Sequence, residues 1–318
     1  MTSNLGPHCL RGTQDAVDWL NAGCKFIKGV SDHGLAQLAA EKGAIYIGRE
    51  YTTLTAEQLQ RDFPTNPEAA ATRWVELQLS AYRANQIVKL WEGPNEPVWR
   101  RLGEGGEADV AWYARFEIKR MKLFEALGLI AVIANWSSGY PGDMGLWSYF
   151  LPALQYANDH GHRLGLHEYS SPWIWWMTGK YQQTPGEDAG DVGYTTLRYR
   201  QIWRDYVRPA GLTKLRLAIT EHGLERMGHI RPGMVDGNFT TMRQWWNAEN
   251  SAGGPIPYNP DHEEYYAEQL IWYDRELQKD DYVLGAAIFT VGSYGPPSPW
   301  AEFDIAGTRV RARLKRHF

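Results

Sequence analysis

Cysteine is nearly absent from this chain, with two residues, Cys9 and Cys24, in 318. Two thiols cannot staple a loop-rich fold of this length, and their spacing matches no metal site. That spacing leaves a single disulfide open. Two buried free thiols are the expectation, because both residues sit in or beside neighbouring predicted strands. Positive charge is not in excess either. A net charge of −4 supplies no field for nucleic acid, and there is no acidic tail. No apolar run reaches the length of a membrane span. The first residues, Met1-Thr2-Ser3-Asn4-Leu5-Gly6, lack the charged and apolar regions of a signal peptide. The chain is therefore expected to be cytoplasmic, or secreted with its leader removed. A linker or compositional break is also missing. A chain long enough to bury a full core, with no internal boundary, reads as one unit over residues 1–318.

What the chain does have is alternation. Short apolar runs at 5–9, 25–30, 44–48, 87–90, 130–134, 163–169, 215–223 and 282–290 read as strands. Segments of helical periodicity fall at 13–22, 34–42, from 66 onward, and at 108–127, 146–160, 195–207 and 263–279. The first strand is short and interrupted by Pro7, and without it seven strands would fit an open sheet. Alternation through the whole length favours an α/β fold, a closed (β/α)8 TIM barrel. The aromatic stripe of the 108–127 helix (Trp112, Phe116, Met121, Phe124) is a packing face.

Two strand ends carry carboxylates. Leu90-Trp91-Glu92-Gly93-Pro94-Asn95-Glu96-Pro97 breaks out of the fourth strand, and Thr220-Glu221-His222-Gly223 ends the seventh. Glu92 lies inside its strand and reads as a buried hydrogen-bonding residue. Glu96 and Glu221 both reach the carboxyl-terminal face, where barrel active sites are built. Two glutamates so placed are what a retaining glycosidase needs, and such a pair stands about 5–5.5 Å apart.

On these residues the chain resembles clan A of the glycoside hydrolases, retaining (β/α)8-barrel enzymes with an Asn-Glu-Pro acid/base motif; no closer family is matched. The resemblance implies Glu96 as acid/base and Glu221 as nucleophile. It also implies that Asn95 holds the sugar 2-hydroxyl. His167 and Tyr169 match the His-x-Tyr often found on the sixth strand, the Tyr bonding the nucleophile and the His lining the sugar site. His8, Lys28, Arg49 and Glu50 fall near strand ends, either touching sugar hydroxyls or tying strands together inside the mouth. The chain departs from the pattern twice. Its second strand ends without the usual Arg, which is left to Arg49 on the third. The eighth ends Ile288-Phe289-Thr290 without the usual Trp, although Trp300 follows in the loop.

The acid must hold its proton near neutral pH, and an ionised carboxylate nearby helps it do so. Trp accounts for 15 residues, many in two long connections at about 170–194 and 224–262. These carry Trp173, Trp175 and Trp176, and Trp245 and Trp246. Such rings either fill the barrel-helix interface or stack on sugar faces. Loops of this length are usually functional. Taking Trp175, Trp245 and Trp300 as platforms, the expectation is an endo-acting hydrolase of a β-linked poly- or oligosaccharide. Two alternatives remain. A carbohydrate-binding barrel without catalysis would not need both glutamates. A metal-dependent barrel hydrolase could use His8, His33, His167 and His222, but no His-x-His pair occupies the first strand. No metal or other cofactor is expected, and the partner is a carbohydrate.

Overall fold

The computed structural model describes residues 3–97, 106–179, 190–225, 242–295, 298 and 300–318. Eight parallel strands form a closed barrel: β1 (Leu5–Cys9), β2 (Phe26–Val30), β3 (Ile45–Arg49), β4 (Leu90–Glu92), β5 (Ile130–Trp136), β6 (Arg163–Ser170), β7 (Arg216–Leu224) and β8 (Val283–Phe289). They pair in sequence order. β1 pairs with both β2 and β8, so the strand containing Pro7 closes the ring. The architecture is the (β/α)8 barrel.

The surrounding helices are α1 (Gln14–Ala22), α2 (Ala36–Glu41), α3 (Ala56–Asp62), α4 (Pro67–Ala84), α5 (Glu107–Ala126), α6 (Trp147–His160), α7 (Arg198–Ile202), α8 (His262–Leu277) and α9 (Arg309–Lys315). Their starts follow ordinary capping chemistry. Thr13 accepts from the Ala16 N–H, and Asn66 from the Ala69 N–H ahead of Pro67. Helices α3 and α9 were not expected, although Thr55 and Gln58 form a capping box that marks the start of α3. The fourth strand also begins later than its apolar run suggests. Residues 85–87 turn off the end of α4, the Val88 N–H donates to the Asn85 carbonyl at 2.9 Å, and Ile87 is exposed.

Side chains alternate across each strand. One file packs outward on the helices, as Trp91, Ile133 and Leu217 do with Trp74, Phe116 and Phe124. The other fills the barrel with Phe26, Ile47, Val132, Ala218 and Ala287. Along β2, β3 and β4 the inward file changes from Phe26 to Lys28, from Ile47 to Arg49, and from Leu90 to Glu92. The floor is therefore apolar and the carboxyl-terminal mouth is charged.

The Trp-rich connections do not behave as expected. Residues 180–189 and 226–241 of them lie outside the described residues. Trp175 is only 2% exposed and stacks on buried Trp173 with ring centroids 5.0 Å apart. Trp246 is buried as well, and its indole N–H donates to the Pro172 carbonyl at 2.8 Å. Trp175 is thus core and not a sugar platform, because stacking indoles against the helices removes large apolar areas from water. Trp245 is half-buried against the same core and does not line the central cavity. Cys9 and Cys24 are free and buried. Among the described residues no helix is long and apolar enough to cross a membrane.

Candidate active site

A cavity of about 260 Å³ opens at the carboxyl-terminal mouth, and its wall includes Arg49, Asn95, Glu96, Tyr169, Glu221 and Trp300. Its carboxylates come from two differently built places. Glu96 sits in the loop after β4 with φ +44, a left-handed conformation that is costly for a residue carrying a Cβ. The loop is held because the Glu96 N–H donates to the Asn135 carbonyl at 3.1 Å. Behind it, the buried Arg120 of α5 donates to the carbonyls of Trp91 and Val132 at 3.4 and 2.8 Å, tying β4 to β5. Gly93 lies against this guanidinium; a Cβ there would stand 3.0 Å from Arg120 Cζ.

Glu221 is fixed by the barrel wall. Its Oε1 accepts from Lys28 Nζ at 2.9 Å and from an Arg49 guanidinium nitrogen at 3.1 Å, and its Oε2 accepts from the Tyr169 hydroxyl at 2.9 Å. Burial alone would raise its pKa. His167, Lys28 and Arg49 outweigh burial and hold the carboxyl well below the usual range. Tyr169, pushed well up by burial and by Glu221, stays a phenol and donates.

His167 connects the two glutamates. Its Nδ1 lies 2.8 Å from Glu96 Oε1 and 3.5 Å from Glu221 Oε2, and its Nε2 lies 3.9 Å from Glu92. Burial opposes its charge, but Glu221, Glu92 and Glu96 together raise its pKa to about 9. Its neighbour Glu168 points the other way, accepting from the backbone of Leu197 and Tyr199 and from the Tyr273 hydroxyl.

Lys28 has no access to solvent and bridges Glu92 at 2.7 Å to Glu221 at 2.9 Å. It therefore ties strands together and does not meet the sugar. The same holds for His8, expected as a sugar ligand. It is fully buried with Nε2 3.4 Å from Glu221, and burial together with Lys28 lowers its pKa to about 4, so it is neutral. Lys28→Met is expected to strip the buried Glu92 of its 2.7 Å partner and Glu221 of one of its cations, and to cost roughly 3–5 kcal/mol of stability. The denaturant midpoint measures this; an unchanged midpoint would remove the Lys28 bridge from the account.

Asn95 is exposed on the cavity wall, Arg49 lines it, and Trp300 reaches it at 41% exposure. Among the lining residues that the sequence reading missed, three bear on the site. Tyr51, 70% exposed, continues the inward file of β3 beyond Ile47 and Arg49. Glu225 continues that of β7 beyond Glu221 and Gly223. Phe289 stands at the end of β8, where a Trp is usual in the clan, and packs edge-on to Trp300 at 5.4 Å.

Glu96, His167 and Glu221 each place a donor atom within 4.8 Å of the others. A divalent ion there would face Lys28, Arg49 and a protonated His167, so the donor set suits proton transfer and charge stabilisation better than metal binding.

The resemblance to clan A glycosidases rests on this closed parallel barrel and on the carboxylates after β4 and near the end of β7. No family model matches the chain, and no curated protein does. Solved structures do. A family 5 xyloglucanase from Paenibacillus pabuli aligns with TM-score 0.53 and 10% identity over 99% of this chain and 98% of its own. XacCel5A in complex with cellopentaose aligns with TM-score 0.51 and 12% identity over 100% of both chains. A β-glucuronidase from Bifidobacterium dentium aligns with TM-score 0.52 and 10% identity over 99% of this chain and 46% of its own. At such identities the likeness establishes a fold shared with glycoside hydrolases.

Proposed function

We propose that the protein is a retaining glycoside hydrolase, endo-acting on a β-linked poly- or oligosaccharide, with Glu96 as acid/base and Glu221 as nucleophile. One observation carries this reading: an oxygen of Glu96 and one of Glu221 lie within 4.8 Å of each other at an open cavity. Inverting pairs stand about 6.5–9.5 Å apart to admit a water, whereas retaining pairs stand about 5–5.5 Å apart. Glu96 Oε1 is occupied by His167, which leaves Oε2 to carry the proton to the leaving oxygen. Glu221, kept ionised, attacks the anomeric carbon as that bond breaks. In the glycosyl-enzyme its charge is gone, and Lys28, Arg49 and His167 then stabilise a carboxylate at Glu96, the form needed to take a proton from water.

The chain-length preference rests on Tyr51 and Trp300, whose exposed rings line the cavity from the β3 and β8 sides. A xyloglucanase and a protein holding cellopentaose among the fold neighbours fit such a substrate. Tyr51→Ala and Trp300→Ala are each expected to lower kcat/KM on long oligosaccharides by about fivefold, roughly 1 kcal/mol for each lost stacking contact, and to affect a short aryl glycoside far less. Trp175→Ala should instead cost about 3–5 kcal/mol of stability, as large-to-small changes in cores do. Equal losses on long and short substrates would remove the platforms from the model of the cleft.

The test of the whole reading is a screen of β-linked polysaccharides and aryl glycosides in chelator, followed by NMR of the first anomer released. A β-anomer from a β-linkage, with oligosaccharides as first products, is expected. An α-anomer would point to inversion, monosaccharides alone would point to exo action, and activity only with added metal would favour the metal-dependent alternative.

A further inference from the structure

The cavity beside the glutamate pair is lined by four carboxyl groups, Glu50, Glu96, Glu221 and Glu225. Among the described residues Arg49 is the one cationic side chain in its wall, and its guanidinium is committed to Glu221 at 3.1 Å. Lys28 is buried behind the wall between Glu92 and Glu221. Glu50 is paired with His33 at 2.8 Å. Glu225 differs from the rest. Its N–H donates to the Ser170 carbonyl at 3.2 Å, which fixes the chain just past the end of β7. Its carboxyl has no hydrogen-bond or ion-pair partner among the described residues.

We infer that this is a site for uncharged sugars and that Glu225 excludes sugars carrying a carboxylate. The inference rests on the hydrolase reading above and names the substrate class within it. A uronic acid entering the cavity gives up its water and needs a cation or a set of donors in exchange. It meets an unpaired carboxyl instead, beside two more. A sugar hydroxymethyl escapes that repulsion. It can accept from Glu225 when that group is protonated and donate to it when it is ionised.

The exclusion has a pH signature. Burial first, then the charges of Glu96 and Glu221, push the pKa of Glu225 up to about 7 against the opposing effect of His167. Glu225 is therefore an uncharged acid below that pH and an anion above it, so discrimination against acidic sugars rises with pH through about 7. The groups facing it are Glu96 after β4, His167 and Tyr169 on β6, and Glu221 on β7. A charge change on any of them also acts on the acidic substrate, so the part of the pH dependence that belongs to Glu225 is the part lost in Glu225→Gln.

The experiment uses matched pairs: β-1,4-linked gluco- and manno-tetrasaccharides, and the same chains with each hydroxymethyl oxidised to a carboxylate. Both kcat/KM and calorimetric Kd are measured from about pH 6 to about pH 8. The wild type is expected to favour the neutral member by about a hundredfold, with the ratio growing as pH rises. Glu225→Gln should narrow that ratio about tenfold and flatten its pH dependence, and Glu225→Arg should narrow it further. A wild type that prefers the acidic member overturns the inference, as does an unchanged ratio in both variants. If no member of either pair is cleaved, the hydrolase reading falls separately and the calorimetric arm decides. Tighter binding of the neutral member, with the gap lost in Glu225→Gln, sustains the role of Glu225. Equal binding, or none, ends it.

Discussion

Glu221→Ala is expected to reduce turnover of every substrate by about five orders of magnitude, as loss of a covalent nucleophile does. The substitution also creates an anion site. Lys28 and Arg49 lose a carboxylate that they contact at 2.9 and 3.1 Å, and His167 loses one at 3.5 Å, which leaves three cations facing a hole. Azide or formate should be drawn in and restore part of the rate with activated glycosides. Azide would attack from the side Glu221 used, with no covalent sugar-enzyme step before it, so the product should be the α-glycosyl azide from a β-glycoside. A β-configured azide, or near-normal hydrolysis without any added anion, would show that Glu221 is not the nucleophile.

Glu96→Ala should separate substrates by leaving group. Loss of general acid catalysis costs about 10²–10⁴-fold where the leaving oxygen needs a proton, and little where the aglycone leaves unaided. Good substrates should then form the glycosyl-enzyme quickly and stall there, because the base for the second step is also missing. A rapid burst followed by slow turnover is the expected trace. Azide should relieve the stall and yield a β-glycosyl azide, the opposite anomer to that expected from Glu221→Ala. Equal losses on good and poor leaving groups, with no burst, would move the acid role to another residue.

Much of the barrel could be read from alternation, because strands buried on both faces must be apolar while the helices between them carry a 3.6-residue period. The weak points have physical causes. β1 carries Pro7, and it is a strand because β2 and β8 flank it on both sides. The start of β4 was placed early because Ile87 and Val88 look like strand residues, yet the end of α4 turns through them. At the site, Glu96, Glu221, His167 and Tyr169 lie together as their strand ends suggested. His8 and Trp175 did not keep their expected places, since composition near a strand end does not say whether a side chain opens to the cavity or lies beneath it. Tyr51 and Glu225 were legible in principle. Continuing the two-residue period past Arg49 and Glu221 reaches both, but the expected strands stopped short of them.

The two glutamates are anchored in different material. Glu221 is held by Lys28 of β2, Arg49 of β3 and Tyr169 of β6, all packed in the wall. The groups proposed to meet the substrate stand at the rim: Tyr51 and Glu225 just past the ends of β3 and β7, and Trp300 in the loop after β8. Under the proposed function, exchange of rim segments with another barrel would replace the sugar preference while leaving Glu221 seated. Such a scaffold can change diet by recombination at its mouth, and its descendants would be recognisable by the buried lysine-centred brace long after their loops had ceased to resemble one another.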